Sequence, residues 1–223
     1  MVDFLPFRGW KPPSGGLETV ACRPYDVVNQ SEAEEIIKSN PQSLMRVIRP
    51  DATLALSTDP NIGDEYSVAS AQFEEMLNEE LFLQDKNSSF YVYAQQMGEH
   101  RQIGLMGLVS TQDYKLDRIK KHEFTRPEKE DDRVRHILAV RAHLGPVFLS
   151  YRRVLEIDEI IERITGSDAH EKFIADDGVI HELWSVDDFE LCEKIQSHFE
   201  NEHYHQLFHE STSNYPLIYQ HDL

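Results

Sequence analysis

The chain has 223 residues, a length that fits one large or two small domains and suffices for a real hydrophobic core. Forty Asp and Glu against 22 Lys and Arg leave a formal charge of -18, a field that repels polyanions and argues against nucleic acid as a partner. Apolar residues make up 40% and charged residues 28%, the mean hydropathy is -0.52, and no run reaches the ~20 apolar residues of a membrane helix; wholesale disorder and a membrane-spanning segment are excluded.

The first residues, MVDFLPFRGWKPPSGG, lack the apolar core and small-residue cleavage site of a signal peptide, so a cytoplasmic location is expected. Cys22 and Cys192 stand far apart without a CxxC partner, which predicts two buried thiols in place of a disulfide or zinc scaffold. The opening is rich in turn formers, and ETVACRPYDVV after it reads as a loop entering a strand, interrupted by Pro24. Ser31-Glu32-Ala33-Glu34 has the spacing of a capping box and predicts a helix from Glu32 to about Ser39, stopped before Pro41.

Residues 43–49, SLMRVIR, are a strand candidate, with a connecting loop over 51–63. From Asp64 to Leu81 the apolar side chains Tyr66, Ala69, Phe73, Met76, Leu77 and Leu81 recur at steps of mostly three and four, predicting an amphipathic helix with one buried stripe. Residues 89–97 and 101–110 form an antiparallel hairpin candidate across Gly98-Glu99-His100. A helix is predicted from Pro127 to Leu144, with Ile137, Val140 and Leu144 on one face and Gly145 at its end.

PVFLSYR, 146–152, reads as a strand, and 157–165 as a short helix closed by Gly166. Asp177-Gly178 between alternating runs is the strongest short hairpin signal in the chain. A last helix is predicted from Asp187 or Asp188, which can cap it, through Phe208. Hairpins mixed with helices predict an α+β fold with a mixed, largely antiparallel sheet and flanking helices, and no linker or repeat forces a domain cut.

The informative segment is 118–136. Arg118, Lys120, Lys121, Arg126, Lys129, Arg133 and Arg135 place seven of the chain's 22 basic side chains there. Clustered cations beside a helix start suit a small anionic ligand such as a phosphate or carboxylate, because the helix amides add partial positive charge. His122 and Glu123 lie just before the helix, and Asp132 and His136, four apart, share a face of it; together they supply proton-transfer groups beside a stabilised anion. Glu123, Glu128, Glu130, Asp131 and Asp132 are interleaved with the bases, so a solvated face laced with weak ion pairs is the competing reading.

Tyr25 and Asp26 follow Pro24, which fixes the chain's approach and presents them at a turn; an Asx turn is the plainer account of Asp26. His205 and His209 are spaced to share a divalent metal beside His198, His203, Glu202 and Glu210, but without an HExxH order a polar tail is preferred and no metal site is assigned. Walker, GxGxxG and GxSxG patterns do not occur.

KKHEFTRPEKEDDR followed by His136, with PFRGW near the start, RPYDVV at 23–28, NPQSLMRVIRP at 40–50, YVYAQQM at 91–97, GPVFLSYR at 145–152 and DDGVIHELW at 176–184, resembles the family called domain of unknown function 1015. The resemblance spans about residues 4 to 200, which sets a domain at 1–200 and a divergent tail at 201–223. Members of that family are similar to free serine kinases with a ParB/sulfiredoxin-like fold, so the resemblance implies that fold and phosphoryl transfer from a nucleotide, ATP or ADP with Mg2+, to a small hydroxylated metabolite. It carries over His122, Glu123, Arg126, Lys129, Asp132, Arg133 and His136, with Tyr25 and Asp26 as the second wall of the site; we assign Lys121, His122, Arg126, Lys129, Arg133 and Tyr25 to binding of the anion or substrate. Glu123, Asp132, His136 and Asp26 are then the candidates for proton transfer or metal contact.

Family members continue past the last helix into a strand and an ADGHHR-like turn, whereas this chain reads SNYPLIYQHDL. A C-terminally truncated or frameshifted member with impaired catalysis and an aggregation-prone edge is therefore expected. The alternative function is a noncatalytic small-anion or nucleotide-binding regulatory module.

Overall fold

The computed structural model describes residues 2–59, 63–120, 126–151, 153–201 and 219–220. In chain order they first form β1 (Phe4–Leu5), β2 (Trp10–Lys11), α1 (Leu17–Val20), α2 (Gln30–Ser39), α3 (Met45–Ile48), α4 (Pro50–Leu56), α5 (Glu65–Asn78) and β3 (Leu83–Gln84). β4 (Phe90–Met97), β5 (His100–Met106), β6 (Leu108–Val109), α6 (Thr111–Lys115), α7 (Pro127–Val140) and β7 (Ala142–His143) come next. α8 (Leu155–Thr165), β8 (Glu171–Ile174), β9 (Ile180–Val186), α9 (Phe189–Asn201) and β10 (Tyr219–Gln220) follow. Every pairing between these strands is antiparallel, so the α+β expectation holds.

The chain packs as two compact units, each assembled from separated segments: Met1–Arg8, Asp85–Phe124 and Val147–Glu210 in the first, Gly9–Gln84, Thr125–Pro146 and Ser211–Leu223 in the second. The first unit is built on a four-stranded sheet ordered β5-β4-β9-β8. On one face Phe90, Val92, Ala94, Trp184 and Val186 meet Ile157 of α8 and Cys192, Ile195 and Phe199 of α9. The alternation of β4 and the three- and four-residue spacing of the isoleucines of α8 are the periods that let a strand and a helix each bury one side.

Both predicted hairpins form. Met97 pairs with His100 across Gly98, whose φ of 59° a side chain rarely adopts, and Ile174 pairs with Ile180 across a loop where Gly178 takes φ 81°. β1 pairs with β6, and the Phe4 ring stacks on Phe90 with centroids 5.0 Å apart. Gly107, between β5 and β6, lies so close beneath these rings that a Cβ there would sit 2.6 Å from Phe4 and 2.8 Å from Phe90.

The second unit is mostly helical. Leu44, Met45, Val47, Ile48, Ala52, Phe73, Met76, Phe82 and Val140 form its core, with short ladders β2–β3 and β7–β10. The predicted helix after Asp64 is α5, with the Asp64 carboxylate accepting the Ser67 N–H at 2.8 Å.

Several predicted elements differ. SLMRVIR is not a strand: four consecutive residues from Met45 to Ile48 are buried, which a helix wrapped by other helices allows and a strand with a solvated face does not. The expected loop from 51 begins instead as α4, with Pro50 in the first helical position where it lacks no needed N–H. The expected strand near ETVA starts as α1. The capping box belongs to Asn29 and Glu32, whose side chains each accept the other's backbone N–H, so α2 begins two residues before the Ser31 box allows.

α7 ends at Val140, not Leu144, because Arg141 turns left-handed at φ 57° and Ala142 and His143 enter a strand. Residues 146–151 lie outside the named strands. Cys192 is buried, whereas Cys22 is only partly so, although burial pushes its thiol up to about 12. Asp188 caps α9 through Leu191 N–H at 2.9 Å, and its expected continuation through Phe208 lies outside the described residues, as do His203, His205 and His209.

Gly107→Ala is expected to destabilise the protein by about 1–3 kcal/mol, since a methyl group must displace two packed rings. Gly104→Ala, where nothing lies within 4 Å of the added Cβ, is the control and should change stability by no more than about 0.5 kcal/mol. Urea unfolding curves with matched slopes measure both.

Candidate functional site

The basic segment is divided between the two units, with Arg118 and Lys120 in the first and the residues of α7 in the second. Arg118 donates to Asp113 at 2.7 Å in the first unit, where the buried Asp113 also accepts the Asp3 N–H at 2.8 Å, and Lys120 pairs with Asp117. Lys121, His122 and Glu123 lie outside the described residues. The rest belongs to the second unit: Arg126 at the N-cap of α7, Lys129 and Arg133 share one stripe with the buried His136 and Val140, at steps of three and four, while the exposed Arg135 lies off it. Arg126 and Lys129 are exposed.

The second half of that stripe is a built site. Arg133 donates through Nε at 3.0 Å and Nη2 at 2.6 Å to Oδ2 of Asp132, its neighbour in sequence. Its guanidinium carbon lies 4.3 Å from the centre of the Tyr25 ring, a cation–π contact. The Tyr66 hydroxyl, from α5, donates to Oδ1 of Asp132 at 3.0 Å. Partial burial opposes ionisation of Asp132, but the donors from Arg133 and Tyr66 outweigh it and hold its carboxyl below the usual range. Burial first, then the Asp132 charge, pushes the Tyr66 hydroxyl up.

Tyr25 and Asp26 sit in a turn closed by Val27 N–H on the Pro24 carbonyl at 3.3 Å; Tyr25 is partly buried and Asp26 exposed. Arg49 reaches this turn from the junction of α3 and α4, donating through Nη1 to the carbonyls of Tyr25, at 3.3 Å, and Val28. Its other edge grips Asp51 with Nε on Oδ1 at 2.9 Å and Nη2 on Oδ2 at 2.7 Å.

His136 is 3% exposed, and its Nε2 lies 2.8 Å from the Val47 carbonyl oxygen, to which it donates. Burial, reinforced by the Arg133 charge, lowers its pKa, while the Val47 bond and Asp132 act the other way without prevailing. In this position the imidazole clamps α7 to α3 in its neutral form.

Four of the sequence-assigned residues therefore come together: Tyr25, Asp132, Arg133 and His136. Asp26 is on the same turn as Tyr25. The sequence reading missed Tyr66, which it assigned to the buried stripe of α5, and Arg49 with Asp51, which it divided between a strand and a loop. Periodicity sees only the ring of a tyrosine. The Arg-Pro-Asp order at 49–51 was the available signal for the second pair.

Among the described residues no group of three or more His, Cys, Asp or Glu is arranged to hold a metal, and no helix is long and apolar enough to cross a membrane. The chain matches the family model described as protein of unknown function (DUF1015) over residues 4–206, and it belongs to that family. No curated protein and no solved structure matches it.

The clamp makes stability pH-dependent. The unfolded chain binds a proton at position 136 before the native one does, so the stability is full above the ordinary histidine pKa and falls as the pH drops toward the depressed native value. His181, pushed the same way by burial, adds to this window. His136→Gln, which keeps an N–H for Val47, should flatten the slope of unfolding free energy between neutral and mildly acidic pH. His136→Ala should cost about 2–4 kcal/mol at neutral pH, measured by denaturant titration.

Proposed function

We propose that this protein is a kinase-like phosphotransferase that transfers a phosphoryl group from a nucleotide to a small hydroxylated metabolite such as free serine, with Arg133 as its principal anion-binding group. The observation that carries the reading is the posture of Arg133. Its Nε and Nη2 hold Asp132, its face lies on Tyr25, and no described residue accepts from Nη1. A flat guanidinium with one nitrogen not held by a described acceptor is suited to phosphate oxygens. The ParB/sulfiredoxin-like fold implied by the family resemblance is part of the same proposal, and the antiparallel α+β layout supports it.

The cationic stripe fits a nucleotide's phosphates: Arg126 and Lys129 are exposed on the first turn of α7, on the line that leads to Arg133. Asp132 does not fit as the proton acceptor, because the donors from Arg133 and Tyr66 hold its carboxyl below the usual range and make it a weak base. Magnesium carried on the phosphates would neutralise charge developing in transfer. Within the chain, Arg126, Lys129 and Arg133 would orient the phosphates. Asp26, exposed beside Tyr25, would take the proton of the attacking hydroxyl as its oxygen bonds to phosphorus and the bridging P–O bond breaks. Glu123 is the other assigned carboxylate and lies outside the described residues.

A second reading, a noncatalytic nucleotide-binding regulatory module, is favoured by the commitment of Asp132 and His136 Nε2 to structural partners. Calorimetric titration with ATP and ADP in Mg2+, and with free serine, alongside a phosphoserine assay separates the two. Phosphoserine formation supports the kinase, and nucleotide binding without product supports the module. No binding of either ligand at millimolar concentration overturns both. Arg133→Ala is expected to weaken nucleotide binding by about tenfold to a hundredfold, the loss of a charge-assisted pair of donors.

A further inference from the structure

We infer that Arg49 is a positioning residue for the Arg133 anion site: it fixes the turn that presents Tyr25, and with it the ring that sets the plane of the Arg133 guanidinium. The inference rests on the reading of Arg133 as the anion-binding group and adds to it a residue on a different segment that touches neither Arg133 nor Asp132 in the described contacts.

The turn that carries Tyr25 and Asp26 lies between α1 and α2, outside any helix or strand, so ladder bonds do not hold it. Two of its carbonyls, those of Tyr25 and Val28, accept from one nitrogen of Arg49. That nitrogen is aimed by the rest of the side chain: Nε and Nη2 form a two-bond fork with Asp51, and Arg49 itself stands where α3 hands over to α4, its N–H on the Met45 carbonyl at 2.9 Å and its carbonyl taking the Ala52 N–H at 3.1 Å. The guanidinium is thus fixed at its backbone and on one edge before it meets the turn.

Only a guanidinium can do both tasks at once. A lysine at 49 has a single nitrogen, which cannot grip both Asp51 oxygens and also bridge two carbonyls. With the bridge gone, the Tyr25 and Val28 carbonyls lose their shared donor, and the Tyr25 ring loses a restraint on its distance from Arg133. Preorganisation of a binding group is what such a support supplies: a donor edge already in place loses less freedom when an anion arrives.

The test uses the full chain with 15N-labelled arginine. Protons of Arg133 lie over the Tyr25 ring and are shielded by it, so the Arg133 Nε–H resonance reports the stack; Tyr25→Leu sets the position without a ring. Arg49→Lys is expected to move that resonance most of the way to the Tyr25→Leu position, and Asp51→Asn part of the way, in protein whose circular dichroism still shows it folded. Inorganic pyrophosphate should bind Arg49→Lys on the order of tenfold more weakly than the parent chain.

An Arg133 resonance unmoved in a folded Arg49→Lys chain, or in Asp51→Asn should Arg49→Lys fail to fold, overturns the inference. A moved resonance with the expected loss of pyrophosphate affinity supports it. A moved resonance in a protein whose parent form binds no pyrophosphate supports the mechanical link from Arg49 to Arg133 and overturns the anion reading on which its use was based.

Discussion

The second unit's site depends on an ion pair between side chains adjacent in sequence. Asp132 and Arg133 project about 100° apart on α7, so they meet only because Arg133 bends back across the helix surface. Left alone, such a partly exposed pair would contribute little. It becomes a defined structure because third parties hold each partner: Tyr66 from α5 takes the second oxygen of Asp132, and the Tyr25 ring backs the guanidinium. Three segments remote in sequence thereby converge on one donor edge.

The chain's large negative charge gives that edge its meaning. Among the described residues, other arginines and lysines also face carboxylates: Arg118 with Asp113, Arg49 with Asp51, Arg153 with Asp158, and Arg101 and Lys172 together on Glu182. In a field that repels anions at long range, a ligand phosphate is recognised by fixed donors at contact distance, not by steering. This is why the posture of one guanidinium bears more weight in the functional proposal than the count of basic residues in the segment.

Much of the fold was legible because burial imposes a period. α5, α8 and both hairpins of the first unit follow from apolar spacing and from Gly98 and Gly178, where backbone geometry restricts the residue. SLMRVIR was not legible, since an apolar run with no polar alternation is compatible with a strand or with a helix buried on all sides, and only the surrounding α2, α4 and α5 decide. The start of α2 was misplaced for a different reason: Asn29 and Ser31 both head plausible boxes, and the choice depends on which turn the preceding chain makes. His136 was assigned to proton transfer on its spacing from Asp132, a spacing that says nothing about the Val47 carbonyl waiting on α3.

By itself, then, the sequence determined the α+β class, the positions of the strongly periodic elements and the basic segment that α7 carries, which follow from local spacing and composition, and it held the motifs that mark the family. Tertiary structure decided which of those side chains belong to a site. Arg118 and Arg133 are alike in a sequence window, yet one closes on a buried aspartate of the first unit and the other lies on a tyrosine more than a hundred positions away. Hydrogen-bond partners are chosen by three-dimensional proximity and by the cost of leaving a buried polar atom unpaired, and neither is written in the order of residues along the chain.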